Sequence, residues 1–297
     1  MKIYDCFMFF DEEMLLDLRL NVMDKYVDKF VITESTYMHS GNSKELTFDV
    51  NKFSKFKDKI IYIVVNEPPT DLIKIDDGDT LNEKQSKMID NAKKREMYQI
   101  NKTQEGIIDA DQEDMIIVSD VDEIPDLEKI NFEKINKKLV FFKQKMFYYK
   151  LNLFHKTFPW FGSKACKKKY FKTPEWLREI KNKKYPMWRL DILLSKFKYN
   201  DIYFAMDGGW HFSNIRTPED LEKKMLNFLH HVDYKQSGLG LEDLKRFMSE
   251  KKLMYNHSID KKGHKWGEGE KLQSSKLEEM PKYIIENTEK YRAWLDS

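Results

Sequence analysis

The amino-acid sequence predicts an α/β protein with a mostly parallel central sheet that is covered by helices on both faces. Short apolar or β-branched runs alternate with longer segments of helical periodicity through the first 125 residues. Such alternation is typical of parallel sheets whose crossover helices cover them. Hydrophobic residues make up 41% of the 297, which is enough for a sizeable core.

The first part of the chain contains four predicted strands, at 3–10, 29–33, 59–65 and 115–118. A helix is expected to begin at Asp11-Glu12-Glu13, since acidic residues suit a helix amino terminus, and its apolar spacing continues to Tyr26. An acidic, turn-rich segment at 71–80 precedes a second long helix, which is predicted over 82–105.

The pattern after residue 125 is less regular and more aromatic. Strands are predicted at 138–142, 145–151, 202–205 and 209–212. Pro174 and Pro218 each occupy a favoured first helical position, so short helices are expected to start there, the second running to about His230. A further helix is predicted over 241–252. Because no linker-like composition interrupts the chain, we expect a single domain over 1–297.

Charge and cysteine content exclude several classes of protein. The 52 basic and 50 acidic residues nearly cancel to +2, which gives no support for a nucleic-acid partner. The lysine runs at 167–169 and 181–184 are more typical of a solvated face than of a phosphate-binding stripe. Two distant cysteines form no disulfide framework. Without signal-peptide features or an apolar run of membrane-spanning length, we expect a cytoplasmic protein with at most peripheral membrane association.

The segment around Asp120 carries the most chemical information. The apolar run 115–118 predicts a buried strand, and Pro125 is expected to end strand pairing, so Asp120, Asp122 and Glu123 should lie in a turn at the strand's carboxyl end. Ligands of open α/β sheets bind at that end. Two aspartates at alternate positions can share one Mg²⁺ or Mn²⁺, which suits a diphosphate leaving group. The alternative is a solvated acidic turn.

Several sequence blocks occur in a characteristic order along nearly the whole chain. They include YDCFMFFD at 4–11, VDKFVITES at 27–35, REMYQ at 95–99, SDVDEIP at 119–125 and GGWHFS at 208–213. In these blocks the chain resembles glycosyltransferase family 17. An Asp-x-Asp pair alone is weak evidence, but its combination with GGWHFS some ninety residues later is specific.

The resemblance implies a GT-A-like nucleotide-diphospho-sugar transferase fold, with a smaller mixed sheet on the acceptor side. Residues 1–125 would then bind the nucleotide sugar and residues 126–297 the acceptor. The implied reaction is an inverting, metal-dependent transfer from a UDP-sugar, with N-acetylglucosamine as the expected sugar, to a hydroxyl of a glycan acceptor. Ile100 stands where an arginine is expected, so Arg95 or a lysine would contact phosphate here.

Candidate metal ligands are Asp122, Asp120 and His211, although Asp120 could instead contact the ribose or a metal-bound water, and His211 could be a hydrogen-bonded core residue. Candidate donor-binding residues are Glu34, Lys44, Arg95 and Asp120. Glu34 follows the second strand at the ligand edge, whereas Lys44 could equally be a solvated loop residue.

An inverting transfer needs a carboxylate that takes the acceptor proton. Asp207 is the first candidate, because Gly208-Gly209 would let the backbone approach a sugar closely, although Asp before Gly is also common in plain turns. Glu34 is the second candidate for this base. Trp210 and Trp160 could each stack on the apolar face of a sugar, although Trp is also a common core residue, and Trp160 is expected to fill the core.

Two other functional classes stay open at this stage. A metal-dependent nucleotidyl or phosphoryl transferase also uses paired aspartates after a strand, but this chain has no glycine-rich phosphate loop. The other class is a non-catalytic sugar-binding module that keeps the fold.

Overall fold

The computed structural model describes residues 1–186, 188–189, 191–256, 266–267 and 269–296. Its strands are β1 Ile3–Met8, β2 Lys29–Ser35, β3 Ile60–Val65, β4 Met115–Asp120, β5 Glu123–Pro125, β6 Leu139–Phe142, β7 Gln144–Tyr148, β8 Leu153–Trp160, β9 Lys164–Lys167, β10 Ile202–Ala205, β11 Gly209–Ser213 and β12 Gln273–Ser274. Its α-helices are α1 Glu13–Met23, α2 Leu81–Asn101, α3 Pro174–Glu179, α4 Asp191–Leu194, α5 Pro218–Asn227, α6 His231–Ser237, α7 Leu241–Ser249, α8 Lys282–Glu286 and α9 Thr288–Tyr291. Short 3₁₀ helices lie at Val50–Phe56, Lys102–Ile107, Leu127–Lys129, Phe132–Lys134, Lys168–Tyr170, Leu277–Glu279 and Arg292–Trp294.

The main sheet has seven strands in the order β10-β6-β9-β4-β1-β2-β3. Every strand except β9 runs in one direction, and β9 pairs antiparallel with both β4 and β6. The predicted α/β class with a mostly parallel sheet is therefore confirmed. The antiparallel strand between β4 and β6 was not predicted, because Lys164–Lys167 is short and has a lysine at each end.

The second sheet has five strands in the order β12-β8-β7-β11-β5. It is mixed, since β7 and β11 are parallel while the remaining neighbours are antiparallel. Strand β5 belongs to this sheet although it follows β4 after only two residues, so the chain changes sheets within the acidic segment. The boundary at residue 125 thus falls at the end of a second-sheet strand, and the single-domain organisation stays a prediction.

Three apolar clusters fill the spaces between these layers. One face of the main sheet packs against α1 and the second sheet, through residues such as Phe7, Leu16 and Phe212. The opposite face packs against α2 and α3, through residues such as Val118 and Leu177. The far side of the second sheet is covered by α5, α6 and α7. Helices therefore lie on both faces of the main sheet, as the sequence predicts.

The acidic segment differs from its prediction in one respect. Strand β4 extends through Asp120, and Pro125 is part of β5, so only Val121 and Asp122 connect the two strands. Pro125 does not mark the end of pairing directly after β4, since the chain pairs again in β5, where Pro125 is the last residue and lies opposite Gly209 of β11. The prediction that Asp120, Asp122 and Glu123 all lie in a turn was therefore wrong for Asp120 and Glu123, which belong to β4 and β5, although the position at the carboxyl end of β4 was right.

Helix ends follow local capping chemistry. Thr80 and Glu83 form a reciprocal capping box at the start of α2. Thr173 and Thr217 accept hydrogen bonds from the third backbone amides of α3 and α5, each followed by proline. In the described part of the chain, none of the helices combines the length and the apolar composition needed to cross a membrane.

Candidate functional site

A cavity of about 390 Å³ opens where β1, β2 and β4 end. The chain passes from β1 to β2 and β3 on one side of β1 and then crosses over to β4 on its other side, so this point is a topological switch, the usual ligand site of open α/β sheets. The side walls come from α2, α3 and α5, and strand β11 contributes His211 and Ser213. Four carboxylates line the cavity, namely those of Glu12, Glu96, Asp120 and Asp122.

Arg19 of α1 holds the acidic segment from behind. Its guanidinium is fully buried and makes a two-point ion pair with Asp5, at 2.6 and 2.8 Å. It also donates to the Ser119 Oγ at 2.5 Å and to the carbonyls of Asp120 and Glu123 at 3.0 and 2.7 Å. Because these bonds join α1 and β1 to the connection between β4 and β5, the backbone of the acidic segment is fixed before any ligand binds.

Glu123 supports the same segment with its side chain. One carboxylate oxygen accepts from the Asp120 amide at 2.9 Å, and the other accepts from the indole of Trp160 at 2.5 Å. Burial, with the nearby charge of Asp120, raises the pKa of Glu123 to about 7. Gly162 lies against this carboxylate, and a Cβ there would overlap it. Trp160 lines the cavity, so the prediction that it fills the core was wrong.

Asp122 and His211 face each other inside the cavity. The Asp122 Oδ1 and His211 Nε2 atoms are 3.7 Å apart, and both side chains are largely buried. Strand β11 fixes this pairing, since the Phe212 amide donates to the Asp122 carbonyl at 2.8 Å. Burial alone would raise the pKa of Asp122, but the charge of His211 outweighs it and holds this pKa below its ordinary value. Burial likewise opposes a charged His211, yet Asp122 raises the pKa of the imidazole.

Asp120 is engaged differently from Asp122. Arg178 of α3 donates to both of its carboxylate oxygens, at 2.5 and 3.3 Å, and also contacts Glu96 of α2 at 3.3 Å. The two aspartates of the Asp-x-Asp pair therefore have different partners, one a guanidinium and the other an imidazole. Burial raises the pKa of Glu96, and Arg178 only partly offsets this effect.

The cavity contains side chains that could act as ligands of a metal ion. Across the described ranges, no group of three or more His, Cys, Asp or Glu side chains is arranged to hold one. Asp122 and His211 supply two ligands of suitable chemistry, and the Nδ1 atom of the buried His211 has no hydrogen-bond partner within the described structure. Mg²⁺ commonly takes only one or two protein ligands and completes its shell with phosphates and water. The residues present fit such an ion once a diphosphate is bound.

Glu34 and Lys44 are brought together, but not in the cavity lining. They form an ion pair, with Glu34 fully buried. The Glu34 carboxylate also accepts from the Thr47 amide and hydroxyl, the Phe48 amide and the Tyr62 hydroxyl. These bonds tie the loop after β2 to β3. Both carboxylate oxygens of Glu34 therefore already have partners in the chain.

Arg95 also lies outside the lining. Its guanidinium donates to the His39 carbonyl at 3.1 Å and packs against Gly41, where a Cβ would come within 2.9 Å. Gly41 has a φ of 98°, a conformation that glycine adopts without strain. Arg95 thus shapes the loop after β2, next to the neighbouring residues His39 and Glu96 that do line the cavity.

The segment 207–210 leads into the start of β11, whereas Ser213, which lines the cavity, is at the end of this strand. None of the residues 207–210 lines the cavity. Asp207 is exposed. Side chains at Gly208 and Gly209 would overlap the backbones of β6 and β5, so both glycines permit close strand packing. Trp210 packs against the first apolar cluster and donates its indole N–H to the Glu279 carbonyl at 2.8 Å.

Several lining residues were missed by the sequence reasoning. They are Glu12, His39, Glu96, Arg178, Asn214 and Lys224. Glu12 lies directly after the family-like block at 4–11, and Glu96 lies within the block at 95–99. These positions could have identified both residues as candidates for the site. Arg178 and Lys224 lie in ordinary amphipathic helices, where the sequence alone does not distinguish a lining cation from a solvated one.

Fold and site together define an α/β protein with a ligand cavity at the switch point of its parallel sheet and an acidic strand connection in the cavity wall. The family model for glycosyltransferase family 17 matches residues 1–296, so the chain belongs to this family and the predicted membership is confirmed. Membership supports a glycosyltransferase activity, which requires a sugar donor and a glycan acceptor. Comparison with curated proteins gives no match.

Proposed function

We propose that this protein is a metal-dependent inverting glycosyltransferase with a GT-A-like fold that uses a UDP-sugar, with N-acetylglucosamine as the transferred sugar. The observation that carries the proposal is the pairing of Asp122 with His211 in the cavity at the carboxyl ends of β1, β2 and β4. This pairing offers oxygen and imidazole ligands where open α/β sheets bind nucleotides.

The residues of the acidic segment and their partners have different roles in this proposal. Asp122 and His211 would hold Mn²⁺ or Mg²⁺, and the bound ion would stabilise the negative charge that develops on the departing UDP. Arg19 and Glu123 hold the backbone that carries Asp122, so the ligand position is set before the donor arrives. Asp120, paired with Arg178, stays available to the ribose or to a metal-bound water.

The proton acceptor is proposed from geometry and sequence together. Asp207 and Glu34 remain candidates from the sequence, although neither lines the cavity. Glu96 is a third candidate, because it lines the cavity and, among the described residues, forms an ion pair with Arg178 alone, at 3.3 Å. Its raised pKa, caused by burial, favours uptake of a proton from an acceptor hydroxyl.

The test is calorimetric binding of UDP and a panel of UDP-sugars with and without Mn²⁺, followed by turnover with glycan acceptors. Asp122→Ala should abolish Mn²⁺-dependent donor binding and turnover while the protein stays folded. Asp126→Asn is the matched control, since Asp126 lies nearby but pairs with Lys129 outside the cavity lining. Normal activity of Asp122→Ala would refute the site, and release of a sugar 1-phosphate instead of UDP would indicate transfer of the nucleotidyl group.

A further inference from the structure

Two cationic side chains, Arg178 and Lys224, line the cavity, and they differ in their partners. Arg178 is committed to Asp120 and Glu96 by contacts of 2.5 and 3.3 Å. Lys224 is half-buried on α5, and its ammonium has no ion pair or hydrogen bond with any residue that the structure describes. A charge in that position faces the cavity without a counterion from the protein.

Helix α5 directs Lys224 into the cavity. Leu221 and Met225 of the same helix are buried against the second sheet, and the end of the helix is fixed by Asn227, which accepts from the Ser40 hydroxyl and the Asn42 amide. Lys224 follows Leu221 by three residues, so it lies on the flank of the helix beside the buried stripe. The ammonium can therefore reach the cavity without a change in the fold.

The electrostatic surroundings show which sign of ligand this ammonium suits. Burial would raise the pKa of Glu12, but the charges of Arg216 and Lys224 together outweigh it and keep the pKa of this carboxyl low. Glu12 already has Arg216 at 2.6 Å, and Asp122 already has His211. Lys224 is therefore close enough to these carboxylates to affect them electrostatically, but it forms no ion pair with either of them.

We propose that Lys224 binds a phosphate oxygen of the nucleoside diphosphate in this cavity. This inference rests on the proposed function. An ammonium on a flexible stem is a common phosphate ligand, and a charge-assisted hydrogen bond in a half-buried site is among the stronger polar contacts. Together with a cation held by Asp122 and His211, Lys224 would offset the charge of the diphosphate.

The experiment compares three probes, UDP, uridine and inorganic pyrophosphate, binding to the full chain in the presence of Mn²⁺. Lys224→Gln should weaken UDP and pyrophosphate about 10- to 100-fold, the factor expected for a lost charged hydrogen bond, and change uridine less than about twofold. Lys224→Arg should restore most of the affinity. Lys223→Gln is the matched control, because Lys223 is exposed on the same helix and its nearest acidic group is Asp11 at 4.0 Å.

The outcomes separate this inference from the proposed function. If the wild-type protein binds no UDP, the proposed function fails. If it binds UDP and Lys224→Gln binds equally well, only the inference fails. Equal weakening of UDP and uridine would also overturn the inference, since it would show a structural role for Lys224. If Lys224→Gln melts at a lower temperature than the wild-type protein, the same three probes are compared in Lys224→Met, which keeps the apolar stem of the side chain.

Discussion

Replacing Arg19 by methionine should test whether the acidic segment is held by its buried guanidinium. The substitution keeps an apolar stem in α1 but leaves Asp5 as an unpaired, fully buried carboxylate and removes the donors to Ser119, Asp120 and Glu123. Removing one partner of a buried ion pair costs about 3–5 kcal/mol. Since a domain is stable by about 5–15 kcal/mol, Arg19→Met should lose a large part of its free energy of unfolding.

A double variant separates the stability effect from the positioning effect. Asp5→Leu combined with Arg19→Met replaces both charges by apolar side chains, an exchange that is often near neutral for stability. The double variant should therefore recover most of the free energy of unfolding. It should still bind UDP weakly in Mn²⁺, because no guanidinium holds the carbonyls of Asp120 and Glu123.

Urea unfolding followed by tryptophan fluorescence measures the first effect, and calorimetric titration of UDP with Mn²⁺ measures the second. Arg292→Met is the control, since the Arg292 side chain is 77% exposed and, within the described structure, forms an ion pair with the equally exposed Glu289 alone. This control should change stability by less than about 0.5 kcal/mol. A loss below about 1 kcal/mol for Arg19→Met, or full donor binding by the double variant, would refute the reasoning.

Two further predictions concern pH and the proton acceptor. Burial lowers the pKa of His39 to about 4, so between its unfolded value near 6.5 and about 4 the unfolded chain binds a proton that the folded chain does not. Stability should therefore be complete above about pH 6.5 and fall as the pH drops toward 4, and His39→Gln should flatten this part of a urea-midpoint curve. An unchanged pH dependence of the urea midpoint in His39→Gln would contradict this prediction. Asp207→Asn and Glu96→Gln should both keep UDP binding, and the variant that loses transfer by about 100-fold or more identifies the base; normal transfer in both would exclude these two residues.

The strands of the amino-terminal half were predictable because their signal is local. The runs that became β1, β2 and β4 are buried on both faces, and a central parallel strand has no polar side to interrupt its apolar pattern. The run that became β3 is as apolar, although this strand lies at the edge of the sheet and is half-buried. The capping chemistry of α3 and α5 was equally local, since a threonine and a proline specify where each helix begins. These features need no knowledge of distant contacts.

The parts that sequence reasoning missed depend on contacts far apart in the chain. Lys164–Lys167 becomes a strand only because β4 and β6 offer edges to it on both sides. Arg19 is a charged residue four positions from both Leu15 and Met23, on the buried side of α1. It can be buried there because Asp5 and the connection after Asp120 supply its partners. Pairing at separations of 14 and about 100 residues leaves no periodic trace in the sequence.

The two aspartates of the Asp-x-Asp pair illustrate the same limit at the site itself. In the sequence they differ only in position, and both suit a hard cation. In the fold, Asp120 ends a strand of the main sheet beside α3, where Arg178 binds it on both oxygens. Asp122 lies two residues further, where the chain has already turned toward the second sheet and β11 presents His211. A change of sheet within two residues therefore gives two identical side chains unequal partners, a guanidinium for Asp120 and an imidazole for Asp122.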